Sequence, residues 1–306
     1  MNPKRIVIAG GSGFIGSALA REFLARGREV VVLTRHPRKR ADGITEIFWD
    51  GESQSDWVKQ LDGAEAVINL AGSTVNCPHT PENLRKIVSS RVNSVNAIAS
   101  AISQVANPPR VWVQASAIGF YGDARDRVCD ESAPNGSDSL AKICREWEAA
   151  GTAAKIENTR KVTMRVGFVL GRDGGALPLL ARLAKFFLGG AAGGGKQFIS
   201  WIHLADLTRM FVAAVEDENL SGVFNGVAPA PVTNAEFMRA LRRALRRPWS
   251  PPVPEFAMRL GARLLGGEAS LALASQRCAP RRFSEAGFRF QFPQLAPALE
   301  DLCKKI

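Results

Sequence analysis

The chain has 306 residues, 46% hydrophobic and 23% charged, a balance that supports an ordinary buried core and excludes a disordered chain. Its five cysteines (Cys77, Cys129, Cys144, Cys278, Cys303) are scattered and never paired as CxxC, which argues against a disulfide framework or a zinc site and for a reducing, cytoplasmic compartment. The net charge of +11 is uneven, +4 over residues 1–235 and +7 over residues 236–306.

Read along the chain, β-branched runs at residues 5–9, 29–34, 45–49, 66–70, 110–115 and 161–166 alternate with amphipathic stretches at 17–26, 81–105 and 140–156. Repeated βαβ order predicts an α/β fold with a doubly wound parallel sheet between helices. The opening MNPKRIVIAGG enters a strand at once and lacks a secretory leader pattern. Beyond Gly167 the pattern loosens into a glycine-rich segment at 189–195, a strand-like run at 198–203, a helix from Asp206 and a strand at 223–227. Thr233 is placed as an N-cap, and the proline-dense residues 248–254 read as a linker or surface crossing. The apolar stretch 178–188 is broken by Arg182 and Lys185 and falls short of the roughly 20 residues of a membrane span, so no membrane partner is expected. Arg242, Arg243, Arg246 and Arg247 recur at helical spacing beside Met238, Leu241 and Leu245, the pattern of a solvated helix face. No nucleic-acid partner is expected.

The first strand runs directly into Gly10-Gly11-Ser12-Gly13-Phe14-Ile15-Gly16 and then a helix. Gly10 allows the tight turn, Gly13 the approach of a pyrophosphate, and Gly16 the packing of helix on strand, while the helix N-terminus offers free N–H donors. The second strand ends at Thr34-Arg35, followed by His36, Arg38, Lys39 and Arg40. A carboxylate at this point selects the ribose hydroxyl of NAD, whereas a guanidinium meets a 2'-phosphate with charge-assisted hydrogen bonds. The expected cofactor is therefore NADP(H), favoured by roughly one to two orders of magnitude.

Together with Asn69-Leu70-Ala71-Gly72, Ser116, Phe120-Tyr121-Gly122 and Trp201 to Asp206, these pieces resemble the extended short-chain dehydrogenase/reductase superfamily. The segments Ala115 to Gly122, Lys142 to Glu148, Asn225 to Glu236 and Ala274 to Phe288 resemble its atypical branch of epimerase-family, sugar-nucleotide-epimerase-like proteins. The resemblance spans nearly the whole chain. It implies a Rossmann-like NADP-binding domain over residues 1–235, with capping segments at about 167–200, and a small family-specific C-terminal domain over 236–306 that caps the substrate. It also implies hydride transfer at a carbinol or carbonyl carbon of a small molecule such as a nucleotide sugar. Cofactor contacts are expected from Gly10, Gly13, Phe14, Ile15, Gly16, Thr34, Arg35, Leu70, Ala71, Gly72, Arg91 and Lys142. A homodimer through the helices at 81–105 and 140–156 is a further expectation.

The superfamily's chemistry needs a Tyr four residues before a Lys, with a Ser opposite. Here Lys142 and Ser116 stand in place, but Asp138 occupies the tyrosine position, and the single tyrosine is Tyr121. Two candidates for proton transfer follow. Asp138, with an ordinary pKa near 3.9, serves as a base and is a poor acid; Tyr121, near 10, is the better donor if its ring turns into the site. The alternative is a protein that binds NADP(H) without turnover, as a sensor. Arg91, where relatives often have Asn, is either a phosphate ligand or a surface-paired residue. His203 reads as structural, and with His36 and His79 it forms no metal-ligand spacing.

Overall fold

In the computed structural model, which describes residues 4–264 and 266–304, β1 (Arg5–Ala9), β2 (Glu29–Thr34), β3 (Thr45–Phe48), β4 (Ala66–Asn69) and β5 (Val111–Ala117) form most of one sheet. A two-residue β6 (Val128–Cys129) precedes β7 (Arg160–Val166). The chain then forms β8 (Phe168–Leu170), β9 (Phe198–Ile199), β10 (Trp201–His203) and β11 (Gly222–Gly226). The large sheet has seven strands in the order β11-β7-β5-β4-β1-β2-β3, all paired in parallel. Strand order reverses at β1, so the loops after β1 and β4 diverge and leave a crevice at their carboxyl ends, where such sheets bind ligands.

Because successive strand residues point to opposite faces, the alternating apolar runs supply two cores. On one face Ile6, Ile8, Val30, Val32 and Ile68 pack with Leu19 and Phe23 of α1 (Phe14–Ala25) and with residues such as Phe211 from a helix at 204–216. On the other, Val7, Val31, Leu33 and Trp112 pack with Val95 and Ile98 of α2 (Pro81–Ile102) and with Trp147 of α3 (Ser139–Ala153). The sheet is thus the middle of three layers. Its strands read as continuous apolar runs because both faces are covered.

A third cluster joins α4 (Leu177–Lys185), Trp201 of β10, the strand that leads into α5 (Leu204–Glu216), α6 (Asn234–Ala244) and a C-terminal helix at 295–303. Phe237, Leu241, Leu299 and Trp201 lie at its centre. Several boundaries differ from expectation. The first helix begins at Phe14 rather than Ser17, because Gly13 in extended conformation serves as its N-cap. The run at 198–203 divides at Ser200 into β9, antiparallel to β12 (Val232–Thr233), and β10, parallel to β8. Thr233 does cap α6, through a capping box with Glu236.

Candidate functional site

The turn after β1 is shaped by backbone contacts that only glycine tolerates. Gly10 has φ +74°, and a Cβ there would lie 3.0 Å from the carbonyl carbon of Leu70; one on Gly16 would lie 2.5 Å from the Cα of Gly11. The helix is therefore seated against the turn. Gly13 differs, since a Cβ on it would meet only the Gly10 oxygen, at 3.4 Å, and otherwise open space. The first backbone bond of α1 runs from the Ser17 amide to the Gly13 oxygen at 2.8 Å, so the amides of Phe14, Ile15 and Gly16 precede the helical ladder. No side chain caps them and no acidic residue stands in the first turn. Open amides, the positive end of the helix dipole and space above Gly13 fit a diphosphate. The Phe14 ring is enclosed by a second glycine loop, where a Cβ on Gly171 or Gly174 would come within 2.4 Å of it.

Ser12 Oγ lies 3.0 Å from Thr34 Oγ1, tying this turn to the end of β2. Arg35, His36, Arg38 and Lys39 then project into solvent. Arg40 is committed to Asp42 and Glu46. Arg35 has no ion pair or side-chain hydrogen bond among the described residues, which leaves a free guanidinium next to the cradle. After β4, the Asn69 carboxamide accepts from the Ala71 amide at 3.0 Å and donates to Gln114 Oε1 at 2.9 Å, fixing the Leu70-Ala71-Gly72 loop. Arg91 lies against Gly72, stacked 4.9 Å from the Trp147 centroid, and its Nη1 donates to the carbonyls of Ser73 and Ile87. Burial lowers its pKa, and no carboxylate pairs with it among the described residues.

At the carboxyl end of β5 the polar groups are spent on one another. Ser116, 3% exposed, donates to Glu148 Oε1 at 2.5 Å. Both Glu148 oxygens are held by Arg165, through Nε at 2.9 Å and Nη2 at 2.8 Å. Arg165 Nη1 donates to the Tyr121 hydroxyl at 2.9 Å, and that hydroxyl donates to Asn225 Oδ1 at 2.8 Å. Tyr121 is 1% exposed, and burial pushes its pKa above the usual phenol value. The structure therefore turns this ring into the protein interior, where the proton of the expected donor is already engaged.

Asp138 is the N-cap of α3, accepting from the Ala141 amide at 2.8 Å and, through its other oxygen, from the Asp123 amide at 3.0 Å. Lys142, one turn on, is largely exposed and 3.9 Å from Glu146. His203 accepts from the Ala205 amide as the cap of α5 and stacks on Phe292 at 4.0 Å. Glu148, Arg165 and Asn225 were not singled out from the sequence. The available signal was Arg165 itself, a charge inside the apolar strand pattern KVTMRV, which burial obliges to find a partner. Among the described residues, no three His, Cys, Asp or Glu side chains gather as a metal site.

A parallel sheet with a glycine cradle at its switch point and a free arginine after the second strand defines a dinucleotide-binding protein of the Rossmann class. A family model described as "NAD dependent epimerase/dehydratase family" matches residues 6–225, and the chain belongs to that family. A second, "Domain of unknown function (DUF1731)", matches residues 253–302. The mouse epimerase family protein SDR39U1 is 37% identical over 303 residues, covering 97% of this chain and 99% of its own. The crystal structure of human epimerase family protein SDR39U1 (isoform2) with NADPH superposes at a TM-score of 0.89 and 33% identity, covering 99% of this chain and all of that one. A nucleoside-diphosphate sugar epimerase from Corynebacterium glutamicum matches at 0.79 and 31% identity, over 99% of this chain and 59% of that one.

Proposed function

We propose that this protein binds NADP(H), with its diphosphate on the amides of Phe14 to Gly16 and its 2'-phosphate on Arg35. The single observation that carries this reading is the unpaired Arg35 beside the Ser12–Thr34 contact. An exposed guanidinium with no internal partner complements a phosphate and repels nothing in its place. The NADPH in the human relative accords with it. Leu70, Ala71 and Gly72 are assigned the cofactor's adenosine side, Arg91 a neighbouring phosphate, and exposed Lys142 the nicotinamide ribose. Fluorescence titration tests the assignment: NADPH should bind at least tenfold tighter than NADH, and equal affinities would remove Arg35 from its role.

When bound, the cofactor supplies or accepts a hydride at a carbinol or carbonyl carbon, as reduction or as epimerisation of a nucleotide sugar or similar molecule. Ser116, which donates its proton inward to Glu148, presents oxygen lone pairs that accept a substrate hydroxyl. A second reading, a cofactor-binding sensor without turnover, is favoured by one observation. The hydroxyls of Ser116 and Tyr121 and the carboxylate of Asp138 are all engaged within the protein. Stereospecific exchange of the nicotinamide hydride across a panel of nucleotide sugars and small carbonyl compounds separates the two, because only the first produces it. All five cysteines are free thiols, in keeping with the reducing cytoplasm we propose.

A further inference from the structure

Among the described residues, seven of the nine exposed large hydrophobic side chains fall between residues 179 and 260. Phe186, Phe187 and Leu188 follow α4 directly, Trp249 follows α6, and Phe256 and Leu260 share one face of α7 (Glu255–Leu264). Phe186 is 69%, Trp249 64% and Phe256 74% exposed. Contacts bring the segment after α4, the end of α6 and the residues just before α7 together. The Arg247 guanidinium lies 5.6 Å from the Phe187 centroid, Arg242 donates to the Gly189 carbonyl at 2.7 Å, and Val253 exchanges backbone bonds with Ala191 and Gly193.

This stretch of the chain is strongly basic, with Arg239 and Arg243 sharing a groove with Glu236 and Glu300 and the other arginines outside it. Residues 239–263 contain seven arginines and one acid, Glu255, which is paired with Arg259. Within this stretch, Arg242 Nε, Arg247 Nε and the Ser250 hydroxyl are buried without a hydrogen-bond partner. These donors are sealed from solvent, so an outside anion would meet the exposed arginines instead, Arg246 beside exposed Trp249 first among them.

We propose that this face docks on an anionic lipid bilayer, with Trp249 and the Phe186–Leu188 segment entering the headgroup boundary and the arginines taking phosphates. The absence of a spanning segment is no obstacle, since lying on a surface needs an apolar face flanked by cations and not a length of about 20 residues. A second copy of the chain is disfavoured because the arginines would face one another. Nucleic acid suits the arginines and the rings of Phe186, Phe187, Trp249 and Phe256 but leaves exposed Leu179, Leu188 and Leu260 without the apolar medium that a bilayer supplies.

Co-sedimentation of the full chain with vesicles of phosphatidylcholine and phosphatidylglycerol, against phosphatidylcholine alone, tests the proposal. The chain is expected to bind only the anionic vesicles, less as salt rises. Arg246→Glu should lower the partition about 25-fold, two units of charge at about fivefold each. Trp249→Ser should lower it roughly tenfold, with NADPH binding unchanged in both variants. Absence of binding, equal binding to neutral vesicles, or full binding by both variants would overturn the proposal. So would a dimer that Trp249→Ser dissolves, which would assign the face to a second copy.

Discussion

Ser116 gives its hydroxyl hydrogen to Glu148 across 2.5 Å, and the glutamate is in turn clasped by both arms of Arg165. A hydroxyl at the carboxyl end of β5 is thereby turned into a fixed acceptor. The fork geometry of guanidinium and carboxylate gives the arrangement its rigidity, and Arg165 lies 3.5 Å over the Phe120 ring. Removing one partner of so buried a pair leaves the other charge uncompensated.

The role of Tyr121 separates by one substitution. In Tyr121→Phe, Arg165 Nη1 and Asn225 Oδ1 each lose a buried partner, at a cost of about 1–3 kcal/mol. Chemical denaturation should show that loss, with NADPH affinity unaltered. A variant that kept its stability but lost hydride exchange would make the tyrosine the proton carrier instead.

Arg35→Ala should weaken NADPH binding by about one to two orders of magnitude and leave NADH nearly unchanged. Isothermal titration with each coenzyme gives the comparison directly. Similar losses for both would mean that the variant disturbs the cradle and not a 2'-phosphate contact.

Two glycines of the turn should respond in opposite ways. A methyl on Gly16 collides with backbone at 2.5 Å, and overpacking of that kind costs about 1–3 kcal/mol, so Gly16→Ala should melt at lower temperature. A methyl on Gly13 meets only an oxygen at 3.4 Å. Gly13→Ala should therefore melt near the parent temperature while losing at least about tenfold in NADPH affinity, roughly 1.4 kcal/mol, because the methyl occupies the space above the open amides.

His203 sets a pH dependence. Burial depresses its pKa below 6.5, more than the nearby Asp301 and Asp206 carboxylates raise it. The unfolded chain then takes up the proton first, so this group's contribution is complete above about pH 6.5 and declines as pH falls from there toward the folded value. Melting temperature should drop over that interval. His203→Asn, which can still accept from the Ala205 amide as a helix cap, should lack that part of the drop; an identical pH profile in the variant would assign it to other groups.

The strand runs, the order of strands and helices, and the glycine turn were legible because each rests on local chemistry. Residue 10 must take positive φ, and β1 must be apolar on both faces, whatever lies far along the chain. The network around Glu148 was not legible in that way, because its members come from residues 116, 121, 148, 165 and 225 and meet only when β5, β7, β11 and α3 are assembled. Asp138 and Tyr121 show the same division. Their residue types suited proton transfer, but the backbone amides of α3 and the buried carboxamide of Asn225 engage them. The sequence by itself determined a parallel α/β sheet and a phosphate cradle, since periodicity and backbone sterics act over a few residues. Which polar groups stay free was decided by tertiary structure, since burial forces each hydrogen-bonding atom to find whatever partner the packing brings near.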